Sequence, residues 1–173
     1  MVLPKEKLIL IELGFWYDKD QPLGMDPKLI LNYPWDNSLK KKFIQYLNEA
    51  EVLAEFMLYT WCRITGATMN IGIGEMTDGI YIWPLDLVYY LDRYNIELPE
   101  YFTRSVIDRD FKYDEANIKF FKEEIDPWSI DPIDADPNKY IVNSEPWKKW
   151  SEEKREIAKQ SGLLQTIKPV WMK

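Results

Sequence analysis

Asp134, Asp136, Asn138, Tyr140 and Glu145 stand at the spacing of positions 1, 3, 5, 7 and 12 of a calcium-binding EF-hand loop, with Ile141 at the apolar eighth position. Hard oxygen ligands at alternating positions, closed by a bidentate glutamate, are what Ca²⁺ requires. The pattern then breaks. Lys139 replaces the glycine of the sharp turn, Pro137 stiffens the fourth position, and Pro127 and Pro132 interrupt the incoming helix. The chain is therefore expected to hold no metal and no other cofactor.

Other constellations are weaker. Glu123 with Glu124, and Asp131 with Asp134, are carboxylate pairs of the type a glycoside hydrolase uses. Nothing in their spacing sets them apart from a solvated acidic surface. The glycines between Gly66 and Gly79 match neither GxGxxG nor GxxxxGK[ST], and read as turns in a hairpin instead of a phosphate cradle. With no histidine and only one cysteine, Cys62, the chain can build neither a Ser-His-Asp nor a Cys-His nucleophile, nor an HExxH zinc site, nor an intrachain disulfide. A lone thiol fits a reducing compartment.

The elements that would position these groups follow from periodicity. Leu8 to Tyr17 reads as a strand and 19–36 as a surface loop. A helix starts at Asn37 with Ser38 as its cap, placing Leu39, Phe43, Leu47 and Ala50 on one stripe. Val52 to Ile64 and Ile80 to Trp83 read as half-buried strands, with Asp78 and Gly79 in a tight turn. Pro84 is expected to open a helix carrying Leu87, Tyr90, Leu91 and Tyr94, followed by short helices over 101–107 and 113–125. After an irregular stretch rich in Pro and Asp, Ser144 caps a last helix through Trp147, Trp150 and Ile157, stopped by Gly162. The fold expected is α+β: a small, mainly antiparallel sheet packed on helices in residues 1–107, and an acidic loop with a mainly helical extension in 108–173, packed on the core as one domain.

Charge is unevenly spread. The net charge is −7 overall, −6 over residues 97–140 and +3 over 141–173. An acidic chain is a poor match for phosphate backbones, so no nucleic acid is expected as a partner. The N-terminal apolar run is interrupted by Glu12 and no window approaches a membrane span, so a cytoplasmic location is expected. Of the eight tryptophans, Trp16, Trp61 and Trp83 lie in apolar strand-like segments and are expected in the core. Trp128, Trp147 and Trp150 lie among charges, where either an interface or helix packing explains them.

WCRITG, from Trp61 to Gly66, and GEMTDGIYIWPLDLVYYLDRYNIELPEYF, from Gly74 to Phe102, resemble a group of small bacterial proteins with the pattern W-C-R-x-C-G, then L-T-D-G-x-Y-x-W-P-E-G-L-x-H-Y-V, then V-x-L-P. ELGFWY, from Glu12 to Tyr17, and FIQYLNEAEVL extend the resemblance across residues 7–107. Thr65 stands where that pattern has a second cysteine, and Tyr89 and Tyr94 where it has histidines. A thiolate-imidazole metal site of such relatives would therefore be absent from this chain. The resemblance implies a fold and a bacterial origin, and no activity.

Together these features lead to the expectation of a bacterial immunity protein, not an enzyme, that neutralises a cognate protein toxin. Many such toxins act on nucleic acids through basic surfaces, which an acidic, aromatic-bearing partner complements. The expected contact residues are Asp126, Trp128, Asp131, Asp134 and Asp136. The alternatives are a carboxylate-based enzyme acting on a small ligand or sugar in a cleft lined by Tyr81, Trp83, Tyr89 and Tyr90, or a structural scaffold protein.

Overall fold

The computed structural model describes residues 8–17, 24–124 and 140–163. The chain runs β1 (Leu8–Glu12), α1 (Asn37–Glu49), β2 (Glu51–Phe56), β3 (Thr60–Trp61), β4 (Thr68–Met69), β5 (Ile73–Thr77), β6 (Tyr81–Pro84), α2 (Leu87–Tyr94), α3 (Glu100–Asp108), α4 (Glu115–Glu124), β7 (Tyr140–Asn143) and α5 (Glu145–Gln160). Five strands form one sheet in the order β2-β5-β6-β1-β7, and β3 and β4 form a separate hairpin. The fold is α+β. Within the sheet, the β2–β5 and β5–β6 pairs are antiparallel, as hairpin-spaced strands should be, while β6–β1 and β1–β7 are parallel. The parallel half arises because both neighbours of β1 arrive from far along the chain, over long crossovers that carry helices.

Alternation along the strands separates two apolar layers. Leu13, Tyr81, Trp83 and Met76 join the large cluster built by α1, α2, α3 and Trp147, whereas Leu8, Leu10 and Ile82 meet Phe121 of α4 on the opposite face. The C-terminal segment is part of this body. β7 extends the sheet beside β1, the buried Trp147 donates from Nε1 to the Phe15 carbonyl at 2.8 Å, and Arg155 reaches the Gly24 carbonyl at 2.7 Å.

Several local expectations shift. Asp36, not Ser38, caps α1: its Oδ1 accepts from the Leu39 N–H at 2.8 Å, which seats the cap one residue ahead of the helix. Pro84 closes β6 instead of opening α2. The ladder continues past it through Leu85 N–H to the Gly74 carbonyl at 3.1 Å, so the proline sits where its missing donor costs nothing. Ser144 stands at the start of α5 without capping it, because its hydroxyl donates to the Glu12 carboxylate. Gly74, expected in a turn, lies inside β5: a Cβ there would come within 2.1 Å of the Ala54 carbonyl of β2.

The turn between β5 and β6 is the tightest polar node. Asp78 is fully buried, and its Oδ1 accepts from the N–H groups of Ile80 at 2.9 Å and Tyr81 at 2.7 Å. Its Oδ2 accepts from the Tyr46 hydroxyl of α1 at 2.6 Å and pairs with Arg109 Nη2, after α3, at 2.9 Å. The Thr77 hydroxyl donates to the Tyr81 carbonyl and accepts from the Gly79 N–H. Gly79 has φ +90°, and a Cβ would meet the Asp114 carbonyl at 2.5 Å, so only glycine fits. Asp114 N–H and the Asn117 side-chain amide then bond the Asp78 and Gly79 carbonyls, anchoring the start of α4.

Replacing one member of a buried ion pair leaves the other uncompensated, so Asp78→Asn should lower unfolding stability by about 3 kcal/mol. Tyr46→Phe removes one charge-assisted hydrogen bond and should cost roughly 1.5–3 kcal/mol. Urea denaturation of both variants checks this, and an unchanged midpoint for Asp78→Asn would refute the node's structural role.

Candidate functional site

The most exposed apolar part of the described molecule lies between β2 and β3. The Leu58 N–H bonds the Phe56 carbonyl at 2.8 Å, making a tight turn that ends β2, and β3 resumes at Thr60, whose hydroxyl donates to the Ile71 carbonyl. Cys62 N–H bonds the Ala67 carbonyl at 2.8 Å and closes the β3–β4 hairpin. The turn throws its side chains outward: Met57 is 100% exposed, Leu58 61%, Tyr59 73% and Trp61 49%. Val52, Phe56 and Ile73 extend the same edge of the sheet and are also exposed. Scattered apolar residues on a surface are ordinary, whereas here four large apolar side chains are exposed within the five positions 57–61. We call residues 56–61 the prow.

Directly behind the prow the chain turns inward. Cys62 is fully buried, with its Sγ 3.6 Å from the Tyr94 hydroxyl. Burial alone would raise the thiol. Hydrogen bonds from the Thr65 hydroxyl, the Tyr94 hydroxyl and the Thr65 and Ile64 backbone outweigh it and bring the thiol down to about 7. Burial, together with hydrogen bonds to Tyr94 and Cys62, holds the Tyr89 hydroxyl above its ordinary value. The positions that the resemblance singled out, 62, 65, 89 and 94, thus converge on one thiol. Thr65, Tyr89 and Tyr94, standing where the pattern has cysteine and histidines, place their hydroxyls around the Cys62 sulfur.

Beside this cluster, Arg63 lies over the Trp61 ring at 5.6 Å and reaches Asp86 with Nη1 at 3.4 Å. Asp86 is buried and accepts from Trp16 Nε1 at 2.8 Å. Burial raises its carboxyl, partly offset by the Trp16 hydrogen bond and the Arg63 charge. The Tyr90 hydroxyl accepts from the Arg63 N–H at 2.8 Å. The prow therefore stands on a hairpin tied to the start of α2 by side chains that are themselves held in the core.

The residues expected from sequence fare differently. Asp126, Trp128, Asp131, Asp134 and Asp136 lie outside the described residues, as do all but Tyr140 and Glu145 of the EF-hand-like pattern. Trp16 and Trp83 are core, as expected, but Trp61 is not: its strand belongs to the small hairpin and presents the ring to solvent. Trp147 is buried and Trp150 packs beside it, so helix packing explains both. Tyr81, Trp83 and Tyr90 are buried in the main layer, and of that set Tyr89 alone keeps partial exposure. Among the described residues, no group of three or more His, Cys, Asp or Glu could hold a metal ion, and no helix is long and apolar enough to cross a membrane. The prow itself was visible in sequence as an apolar run, Phe56 to Trp61, but its pattern suited a half-buried strand equally well.

In the folded protein, the thiolate absorbance difference between wild type and Cys62→Ser should titrate with a midpoint of about 7. Tyr94→Phe should move that midpoint upward by roughly 1 unit, since a hydrogen bond to a charged group is worth about 1.5 kcal/mol or more. The folded value lies below the unfolded one, so the stabilisation is complete at alkaline pH and disappears as pH falls through 7. Cys62→Ser should accordingly destabilise more at alkaline than at acidic pH, and a pH-independent loss would refute the hydrogen-bonded thiolate.

Comparison with protein-family models, with curated proteins and with solved structures finds no match to the chain, so the geometry carries the functional reading by itself.

Proposed function

We propose that the chain is a bacterial immunity protein that binds and neutralises a cognate protein toxin, and that the prow is the centre of its docking surface. The observation that carries this reading is the exposure of Met57, Leu58, Tyr59 and Trp61 together at the turn between β2 and β3. Aromatic and long apolar side chains surrounded by polar groups are the composition of an interface hot spot. Fully burying a side chain such as Leu58 or Met57 against a partner is worth roughly 1.5–3 kcal/mol.

Charge supports a basic partner. The chain carries −7 overall, and residues 43–62, which lead into and through the prow, hold three glutamates and no lysine or arginine. The acidic stretch with Asp126, Trp128, Asp131, Asp134 and Asp136 adds long-range attraction in this proposal, since complementary charge acts mainly on the association rate. The alternative of a carboxylate enzyme with an aromatic-lined cleft loses its support, because Tyr81, Trp83 and Tyr90 are packed in the core.

Co-expression with the product of the adjacent reading frame is the test. Wild type should restore growth and co-purify as a stoichiometric complex. The double variant Leu58→Asp with Tyr59→Ala, both positions being exposed, should keep its fold and weaken the complex by at least about 30-fold, the loss typical of a hot spot. Association should slow as salt rises. Unchanged affinity in the double variant would displace the docking surface from the prow, and absence of both complex and rescue would overturn the immunity reading.

A further inference from the structure

We propose that the partner docks by adding an extended, basic strand to the free edge of β2. This inference rests on the reading of the chain as a protein binder and specifies how the bound segment is held.

β2 is the outermost strand of the five-stranded sheet, and among the described residues it pairs only with β5. An edge strand presents a row of unpaired N–H and C=O groups, which is the template for strand addition. The register with β5 shifts between Val52 and Ala54, so the irregular first half of β2 is a poor template. The regular part is Ala54, Glu55 and Phe56, paired with Glu75, Gly74 and Ile73; the Ala54 and Phe56 carbonyls face β5, so Glu55 is the residue that turns its N–H and C=O to the free edge. Phe56, the first residue of the prow, and its cross-strand neighbour Ile73 are both exposed. A strand laid along this segment would therefore gain the main-chain hydrogen bonds of Glu55 and cover Phe56 and part of the prow at once.

Charge selects the occupant. Glu51 is held by Lys122 at 2.8 Å across β2, while Glu55 is exposed, and Glu49 is exposed at the end of α1. A second copy added to this edge would bring like charges of two acidic strands together, the device by which natural sheets block self-pairing. A strand alternating lysine or arginine with apolar residues meets the opposite condition: its cations lie on the face of Glu55, and its apolar side chains lie beside Phe56 on the other.

The probe is a peptide of about seven residues alternating lysine and valine, a typical strand length. Its comparators are the same peptide with proline at the central valine, and a glutamate-valine counterpart. Binding is followed by backbone amide hydrogen exchange of the intact protein at low salt. The expected result is binding of the lysine-valine peptide alone, with new protection centred on the Glu55 amide, and a loss of at least about tenfold in affinity for Glu55→Lys, an exposed position whose reversal leaves the core untouched. Equal binding of the proline peptide, or binding without new amide protection, would overturn strand addition while leaving a side-chain interface at the prow intact. Equal binding of the glutamate-valine peptide would overturn the charge selection. Failure of every peptide to bind, or the same protection arising from self-association with no peptide present, would overturn the proposal. The immunity reading stands or falls separately, on rescue and complex formation with the adjacent gene product.

Discussion

The Asp78 carboxylate is the point on which the packing of this protein turns. A carboxylate without solvent contact is costly unless its lone pairs are satisfied. Here two backbone N–H groups, one tyrosine hydroxyl and one guanidinium do so. Each donor comes from a different place. The backbone pair shapes the β5–β6 turn, Tyr46 brings in α1, and Arg109 fixes the exit of α3. The carbonyls of the same turn hold the start of α4. A single ionised group thus sets the turn that registers two central strands and locks three helices around them. The aromatic packing of Tyr46, Trp83, Phe102 and Tyr81 surrounds it and keeps water out.

That rigidity on one side of the sheet gives meaning to the exposure on the other. β2 ends at a turn where apolar side chains leave the core, and the following hairpin is fastened through Cys62, Arg63 and Tyr90 to the start of α2. An exposed hydrophobic loop on a loose tether would lose ordering entropy on binding, whereas one tied to its neighbours by hydrogen bonds has surrendered part of it already. The prow and the buried thiol cluster are in this sense one device, with the polar cluster positioning the prow.

Much of the architecture was legible from residues. The four helices α1, α2, α3 and α5 follow from apolar periodicity, and the T-D-G turn with Tyr81 and Trp83 behind it follows from a short motif whose residues prove structural. Harder to read were features where a residue has two physical uses. Ser38 and Asp36 both suit a cap, and only the approach of the chain to the Leu39 N–H decides between them. Pro84 suits the first turn of a helix and the end of a strand alike. Gly74 carries no sign that it serves a close approach to Ala54 and not a turn. Trp61 has the apolar neighbours of a core residue, yet its strand pairs with β4 outside the main sheet.

By itself the sequence determined the class of fold, the acidic character, the loss of imidazole chemistry and the tight turn at Asp78 and Gly79, because each depends on composition, periodicity or local turn geometry. Tertiary structure alone decided that β1 lies between β6 and β7, that positions 62, 65, 89 and 94 meet at one sulfur, and that the run from Phe56 to Trp61 faces water. Those are long-range outcomes. They depend on which strand ends at the edge of the sheet and which face a helix covers, and an apolar residue has the same local pattern whether its neighbours bury it or leave it for a partner.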